Sequence, residues 1–69
     1  MCTLVILRRP GHDWPLLVAA NRDEMRGRPW RPPGAWWEDR PGIVAGLDGV
    51  AGGSWLGVNE SGLVAAVLN

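Results

Sequence analysis

The chain is short, and with a single cysteine, Cys2, it has no internal disulfide to reinforce its fold. A domain of about 60 residues buries only about 60% of its unfolded surface and is marginally stable unless a disulfide or a metal reinforces it. No cluster of metal-ligating residues is apparent. Five tryptophans supply apolar area, but the sequence ends on a strand-like apolar run at 63–69. We therefore expect residues 1–69 to be the N-terminal part of a single, longer domain.

The distribution of apolar and charged residues disfavours three classes of protein. The apolar run at 4–7 is far shorter than the roughly 20 residues of a membrane helix. Arg8 and Arg9 follow this run, whereas the basic residues of a signal peptide precede its apolar part. The formal net charge is zero, which argues against a dedicated nucleic-acid-binding protein. We expect a cytoplasmic protein with no transmembrane segment and no nucleic-acid partner.

Two apolar segments near the start of the chain predict a β-hairpin. Residues 3–7 and 14–20 are short and apolar, and the polar segment between them contains Pro10 and Gly11. Antiparallel pairing of these strands brings Cys2 and the polar residues at 21–24 to the same end of the sheet. This placement brings together the two parts of the chain whose side chains are best suited to catalysis.

The middle of the chain predicts an irregular but ordered loop. Residues 25–42 contain four prolines, three tryptophans and four arginines, and proline disfavours regular structure around it. Such a mixture is also typical of a stacking surface for single-stranded nucleic acid. Glu24, Glu38 and Asp39 interrupt the positive charge, so we favour structural packing. Beyond the loop, 43–47 predicts a short strand, and 54–58 with 63–68 predicts a second hairpin closed at Gly62.

Cys2 is the residue with the clearest potential for chemistry. The initiator methionine is normally removed when the second residue is small, which leaves the cysteine with a free α-amine beside its thiol. An α-amine is partly neutral near neutral pH and can accept the thiol proton. The nucleophile then carries its own base and needs no histidine. The alternative is that Cys2 is a small apolar residue without a chemical role.

The polar tetrapeptide that follows the second strand offers partners for such a nucleophile. Asp23 is suited to orienting the α-amine, and Arg22 is suited to binding a carboxylate or stabilising the thiolate. Asn21 is a neutral hydrogen-bond donor. The alternative is a solvated loop, and the predicted proximity to Cys2 is what favours function. We predict Cys2, Asn21, Arg22 and Asp23 as catalytic residues.

Two further motifs admit both a functional and a structural explanation. The glycine-rich stretch at 52–57 lacks the lysine of a phosphate-binding loop and precedes a strand, so we expect no phosphate site there. The amide of Gly53 is a candidate oxyanion donor, and Trp55 packs on the sheet. We predict Glu24, Gly53 and Trp55 as substrate-binding residues. His12 lies in a turn and is either a surface residue or, with Cys2, a haem ligand; no metal site is otherwise expected.

Four motifs occur in a distinctive order along the chain. They are Met-Cys-Thr-Leu at 1–4, Ala-Ala-Asn-Arg-Asp-Glu at 19–24, Arg-Pro at 28–29 and Gly-Gly-Ser-Trp-Leu-Gly at 52–57. Together they resemble the NRDE family, the homologues of transport and Golgi organization protein 2, whose members are several times longer. The resemblance implies an α+β fold similar to that of N-terminal-nucleophile hydrolases. Residues 1–69 would then form the N-terminal β-hairpin portion of a four-layer αββα sandwich, within a single NRDE-type domain.

The same resemblance implies roles for individual residues. Cys2 corresponds to the nucleophile of cysteine-type acylases such as bile-salt and penicillin V hydrolases. Those enzymes have an arginine and an aspartate soon after the second strand, with two residues between them. Here Arg22 and Asp23 are adjacent, so either this pair or Asn21 with Glu24 takes those places. The later asparagine and arginine of the acylase site would lie beyond residue 69.

Three functions are compatible with these patterns. The first is an N-terminal-nucleophile amidohydrolase or acyl hydrolase, acting without a cofactor on a small-molecule amide or acyl substrate. The second is a non-enzymatic carrier for haem or an acyl lipid, which the family's association with haem handling implies. The third is a scaffold that acts in membrane traffic through protein contacts. Neither the substrate nor the oligomeric state is indicated by the sequence.

Overall fold

A computed structural model describes residues 1–68, which form six strands in two antiparallel sheets and contain no helix. The first sheet pairs β1 with β2, and the second has the order β3-β4-β5-β6. No helix in the described part of the chain has the length and apolar character needed to cross a membrane. The strands are β1 Thr3–Arg8, β2 Leu16–Asn21, β3 Trp30–Gly34, β4 Ile43–Asp48, β5 Leu56–Asn59 and β6 Val64–Ala66.

The first sheet is the predicted N-terminal hairpin. Its register runs from Thr3 opposite Asn21 to Arg8 opposite Leu16. The second strand begins at Leu16, two residues later than the segment 14–20 predicts. Pro15 belongs to the connection instead, and its carbonyl accepts a hydrogen bond from the Arg9 N–H at 2.7 Å. The residues that follow β2 therefore lie beside the start of the chain, as the sequence predicts.

The strand β3 corrects the prediction of an irregular loop over 25–42. Trp30 pairs with Asp48 and Arg31 with Leu47, and pairing resumes at Gly34 after a shift in register. The interruption falls on Pro32 and Pro33, which have no N–H to donate to a neighbouring strand. A strand with this defect is tolerated because β3 is at the edge of its sheet.

The C-terminal hairpin forms as predicted, although its strands are shorter than expected. Val58 pairs with Val64, and Leu56 with Ala66. The turn is closed by the Asn59 side chain, whose Oδ1 accepts hydrogen bonds from the N–H groups of Ser61 and Leu63. Gly62 has a φ of +85°, a conformation that side chains other than glycine's disfavour.

The tryptophan-rich segment is ordered by specific contacts. The ring of Trp30 meets that of Trp55 edge-on, with centroids 6.2 Å apart. The Trp36 indole N–H donates to the Pro32 carbonyl at 2.8 Å, and the Arg31 guanidinium lies over the Trp36 ring. These contacts agree with structural packing of the tryptophans.

The two sheets enclose little apolar volume. Ala45, on β4, is the one buried apolar side chain found among residues 1–68, with 3% of its surface exposed. An open apolar groove of about 320 Å³ runs between the sheets, lined on one side by Leu16 and Val18 and on the other by Val44 and Val58. The two sheets agree with the strands of the expected sandwich, and the complete αββα arrangement stays a prediction.

Candidate functional site

The hairpin register sets Cys2 against the segment that follows β2. Thr3 lies opposite Asn21, so the residues before Thr3 run alongside those after Asn21. The Asp23 N–H donates a hydrogen bond to the Cys2 sulfur at 3.3 Å, and the thiol in turn lies 3.9 Å from the Asp23 carbonyl oxygen. The Asp23 main chain therefore contacts the sulfur through both its N–H and its carbonyl group.

Two further contacts hold the residue before Cys2. Asn21 Nδ2 donates to the Met1 carbonyl oxygen at 3.3 Å. The Met1 amino group forms an ion pair with the Asp23 carboxylate. An amide donor and a carboxylate thus face the carbonyl and the amine next to the thiol. These are the groups needed to polarise a carbonyl and to orient an amine.

A second cluster of charges is centred on the Asp48 carboxylate. Because Trp30 pairs with Asp48, the end of β4 lies next to the residues that precede β3. Arg28 donates to both Asp48 oxygens, with Nε at 3.0 Å from Oδ1 and Nη2 at 2.7 Å from Oδ2. The Val50 N–H donates to Oδ1 at 3.0 Å. The Arg28 hydrogen bonds, together with that of Val50, hold the pKa of the Asp48 carboxyl well below its ordinary value.

The Arg22 guanidinium joins the two clusters. It is mostly buried, with 16% of the side chain exposed, and its Nη2 lies 3.9 Å from Asp48 Oδ1, which is longer than a hydrogen bond. Its central carbon lies 4.6 Å from the centre of the Trp55 ring, in cation–π geometry. Arg22 is therefore held by stacking and charge, and Asp48 is neutralised chiefly by Arg28.

These side chains surround a cleft of about 210 Å³, here called the cysteine cleft. Its wall carries a thiol, two guanidinium groups and two carboxylates beside the apolar side chains of Trp55 and Val67. Its lining residues are Cys2, Arg22, Glu24, Arg28, Asp48, Ser54, Trp55 and Val67. A small polar ligand could contact Cys2 and a guanidinium at the same time.

The structure brings together most of the residues that the sequence singled out. Cys2, Arg22, Glu24 and Trp55 line the cysteine cleft. Asn21 and Asp23 contact the N-terminal residues, as described above. Gly53 lies elsewhere: it borders a separate hollow of about 240 Å³, and its carbonyl accepts from the Asp48 N–H at 2.8 Å.

His12 is far from Cys2 in the hairpin. It lies in the connection after β1, at the opposite end of a six-residue strand, and its Nδ1 accepts a hydrogen bond from the Trp14 N–H at 3.0 Å. Six strand residues span roughly 20 Å. The two side chains therefore do not meet at one haem iron in this arrangement. The described residues also contain no grouping of three or more metal-ligating side chains.

The sequence analysis missed Arg28 and Asp48 as members of the site. Asp48 lies just past the strand predicted at 43–47, and Arg28 lies in the segment predicted to be an irregular loop. The available signal was an acidic residue at the end of a buried strand within reach of an arginine-rich segment. That signal becomes informative only when β3 is paired with β4.

Comparisons with known proteins agree on one family. The sequence model described as "Transport and Golgi organisation 2" matches residues 1–69. Transport and Golgi organization protein 2 homologs from Bos taurus and Homo sapiens are each 42% identical to this chain over 57 residues, as is the Mus musculus homolog. Each match covers 78% of this chain and 20% of the relative, so the chain spans about a fifth of the length of these proteins. No solved structure matches.

Proposed function

This chain belongs to the Transport and Golgi organisation 2 family, and from that premise and the contacts around Cys2 we propose that it provides the nucleophile of an N-terminal-nucleophile hydrolase. The substrate class is an amide or a thioester of small size. The nucleophile is the Cys2 thiol, and its base is the α-amine exposed when Met1 is removed.

The observation that carries the proposal is the way residues 21–23 hold the start of the chain. The Asp23 N–H donates to the Cys2 sulfur, while Asn21 Nδ2 and the Asp23 carboxylate contact the carbonyl and the amine of Met1. Removal of Met1 therefore leaves an amide donor and a carboxylate beside the new α-amine of Cys2. A solvated loop has no reason to make all three contacts. An acyl-transfer site needs a donor for the substrate carbonyl oxygen and a carboxylate to orient the amine, and these two groups are available once Met1 is removed.

The reaction proceeds in two balanced steps. The Cys2 α-amine accepts the thiol proton, and the thiolate attacks the substrate carbonyl carbon, whose developing oxyanion accepts a hydrogen bond from Asn21 Nδ2. The carbon–nitrogen or carbon–sulfur bond then breaks, and the leaving group takes the proton from the ammonium, which leaves an acyl-thioester on Cys2. In the second step the amine removes a proton from water, the hydroxide displaces the thiolate, and the free acid departs. Asp23 orients the amine throughout.

The first experiment tests whether the nucleophile exists. We expect the intact mass of the full-length protein to show that Met1 has been removed, and Cys2 to react with a limiting alkylating reagent near pH 7 faster than a model thiol. Retention of Met1 would eliminate the mechanism, because Cys2 would then have no free amine. Removal of Met1 combined with slow alkylation of Cys2 would also count against the mechanism.

The second experiment tests turnover. A panel of aliphatic and aromatic amides and thioesters is assayed with the wild-type protein and with Cys2→Ser and Cys2→Ala. We expect both substitutions to abolish turnover of any active compound. The exposed Ser61→Ala serves as a matched control and should leave the rate unchanged. Turnover that survives both cysteine substitutions would assign the activity to another site.

A second candidate function is carriage of an acyl lipid or haem, and the apolar groove between the sheets is the observation that favours it. Here we expect a fluorescent fatty acid to bind saturably, and Val58→Asp to weaken binding more than Val5→Asp, on β1 outside the groove. A haem titration monitored by absorbance, repeated with Val58→Asp, separates haem from lipid as the ligand of the groove. Equal effects of the two aspartate substitutions would argue against a groove ligand.

A further inference from the structure

A second cleft adjoins the cysteine cleft and has a different chemical character. It encloses about 340 Å³ and is here called the tryptophan cleft. Its lining includes Arg22, Glu24, Arg26, Trp30 and Trp55. Arg22, Glu24 and Trp55 line both clefts, so a ligand in one can extend into the other.

Charge in the tryptophan cleft favours an anion. Asp48 accepts hydrogen bonds from Nε and Nη2 of Arg28, so its single negative charge is shared between Arg28 and the more distant Arg22, 3.9 Å away. Two arginines, Arg22 and Arg26, line the tryptophan cleft together with one acidic residue, Glu24. Glu24 is itself turned to the main chain, where its Oε1 accepts from the Met25 N–H at 3.1 Å. The wall therefore carries a net positive charge.

The aromatic walls favour a flat apolar group beside that anion. Trp55 has its face under Arg22 and its ring against Trp30 in an edge-on contact. Trp30 keeps 56% of its surface exposed and so has a face left for stacking. Within the described residues, the polar contact of the Arg22 guanidinium is the long one to Asp48, which leaves its N–H donors for a ligand.

We propose that the tryptophan cleft binds the flat, negatively charged portion of the substrate, with its carboxylate on Arg22 and its ring on Trp30. This inference rests on the proposed function, because it names the substrate class of the same site: an amide or thioester whose non-reacting portion is an aromatic carboxylate. Arg22 thus becomes a specificity-determining residue as well as a neighbour of the nucleophile.

The test measures binding without turnover. Full-length protein carrying Cys2→Ala is titrated by calorimetry with 2-naphthylacetate and with its neutral isostere 2-naphthylacetamide. We expect the carboxylate to bind at least about tenfold more tightly, which is the discrimination a charged pair supplies at a partly buried site. Arg22→Gln should remove this preference, and Trp30→Leu should weaken both ligands. Arg8→Gln, the same change at an exposed position on β1, should alter neither.

Equal affinity for the two probes, or binding of neither, would overturn the inference even if Arg22→Gln failed to fold. A preference for the carboxylate that survives in a folded Arg22→Gln variant would also overturn the inference. Failure of the proposed function is recognised separately, by wild-type protein that shows no Cys2-dependent turnover. A preference for the carboxylate without turnover would support the anion site and contradict the hydrolase function. Turnover without a preference for the carboxylate would support the hydrolase function and contradict the anion site.

Discussion

At the scale of single residues, the Asp48 carboxylate connects three parts of the chain. It accepts two hydrogen bonds from Arg28 and one from the Val50 N–H, and it lies close to Arg22. Asp48→Asn removes the charge and one acceptor, so Arg28 is left with an unsatisfied donor in a partly buried site. We expect a lower midpoint of thermal unfolding, followed by circular dichroism. Glu38→Gln makes the same chemical change at an exposed residue, and an equal loss there would contradict the assignment.

The same carboxylate predicts a pH dependence of stability. Its pKa is lowered in the folded protein by the Arg28 hydrogen bonds, so folding favours the ionised form. The contribution is complete above the ordinary pKa of about 4 and is lost as the pH falls through the lower folded value. The difference in unfolding free energy between wild type and Asp48→Asn should therefore narrow as the pH falls from about 6 to about 2 in urea titrations. A difference that stays constant across this pH range would show that Asp48 is not the source of the pH dependence.

Asn21 yields a kinetic prediction under the proposed function. Its Nδ2 donates to the Met1 carbonyl oxygen, and removal of Met1 frees this donor for the oxyanion of a substrate held at Cys2. Loss of one oxyanion donor lowers kcat by about 10²–10³-fold. We expect Asn21→Ala to lower kcat by this amount with little change in KM. A rise in KM with an unchanged kcat would instead assign Asn21 to ground-state binding.

The residues of the site differ in how far the sequence could predict them. Cys2 and residues 21–24 were accessible because a short hairpin has one plausible register, and that register sets both at the same end of the sheet. Asp48 and Arg28 are twenty positions apart, and nothing local links them. Their contact depends on a strand pairing that the sequence pattern conceals.

At the scale of secondary structure, β3 shows why this pairing was hidden. Strand prediction relies on alternation and on the absence of proline, and β3 contains Pro32 and Pro33 at its centre. The strand still forms because its ends pair with β4 and because the Trp36 indole hydrogen-bonds to the Pro32 carbonyl. The sequence predicts the hairpins β1–β2 and β5–β6, with strand ends that differ by one or two residues from those observed. The strand β3, which lies between these hairpins, depends instead on tertiary contacts.

Gly46 on β4 provides a prediction at this scale. A Cβ added there would lie 2.5 Å from ring carbons of Trp55, so even alanine displaces the tryptophan. We expect Gly46→Ala to destabilise the protein by about 1–3 kcal/mol, as overpacking typically does, measured by chemical denaturation. Because the Trp55 ring also stacks against the Arg22 guanidinium, Gly46→Ala should weaken binding in the tryptophan cleft. Gly27, whose added Cβ meets nothing within 4 Å, is the matched control, and Gly27→Ala should be close to neutral.

At the scale of the whole chain, the two sheets leave apolar side chains exposed on both faces. Val5, Ile6 and Leu7 are consecutive in β1, so they point to alternate faces of the hairpin, yet each keeps more than two fifths of its surface exposed. Strands with apolar residues on both faces are typical of sheets covered on both sides. This pattern agrees with the layered sandwich that the family resemblance implies.

The same exposure predicts how the 69-residue chain behaves in isolation. Folding free energy comes mainly from burying apolar area, and Ala45 is the one apolar side chain below a tenth exposed in the described range. Entropy opposes ordering of the chain, and burial this slight does not offset it. We expect isolated residues 1–69 to bind the dye ANS and to lose circular dichroism gradually on heating. Full-length protein should instead unfold cooperatively and bind little dye. A single sharp transition in the isolated chain, coincident by fluorescence and circular dichroism, would show that the hairpins and the charge cluster around Asp48 stabilise the fold without a core.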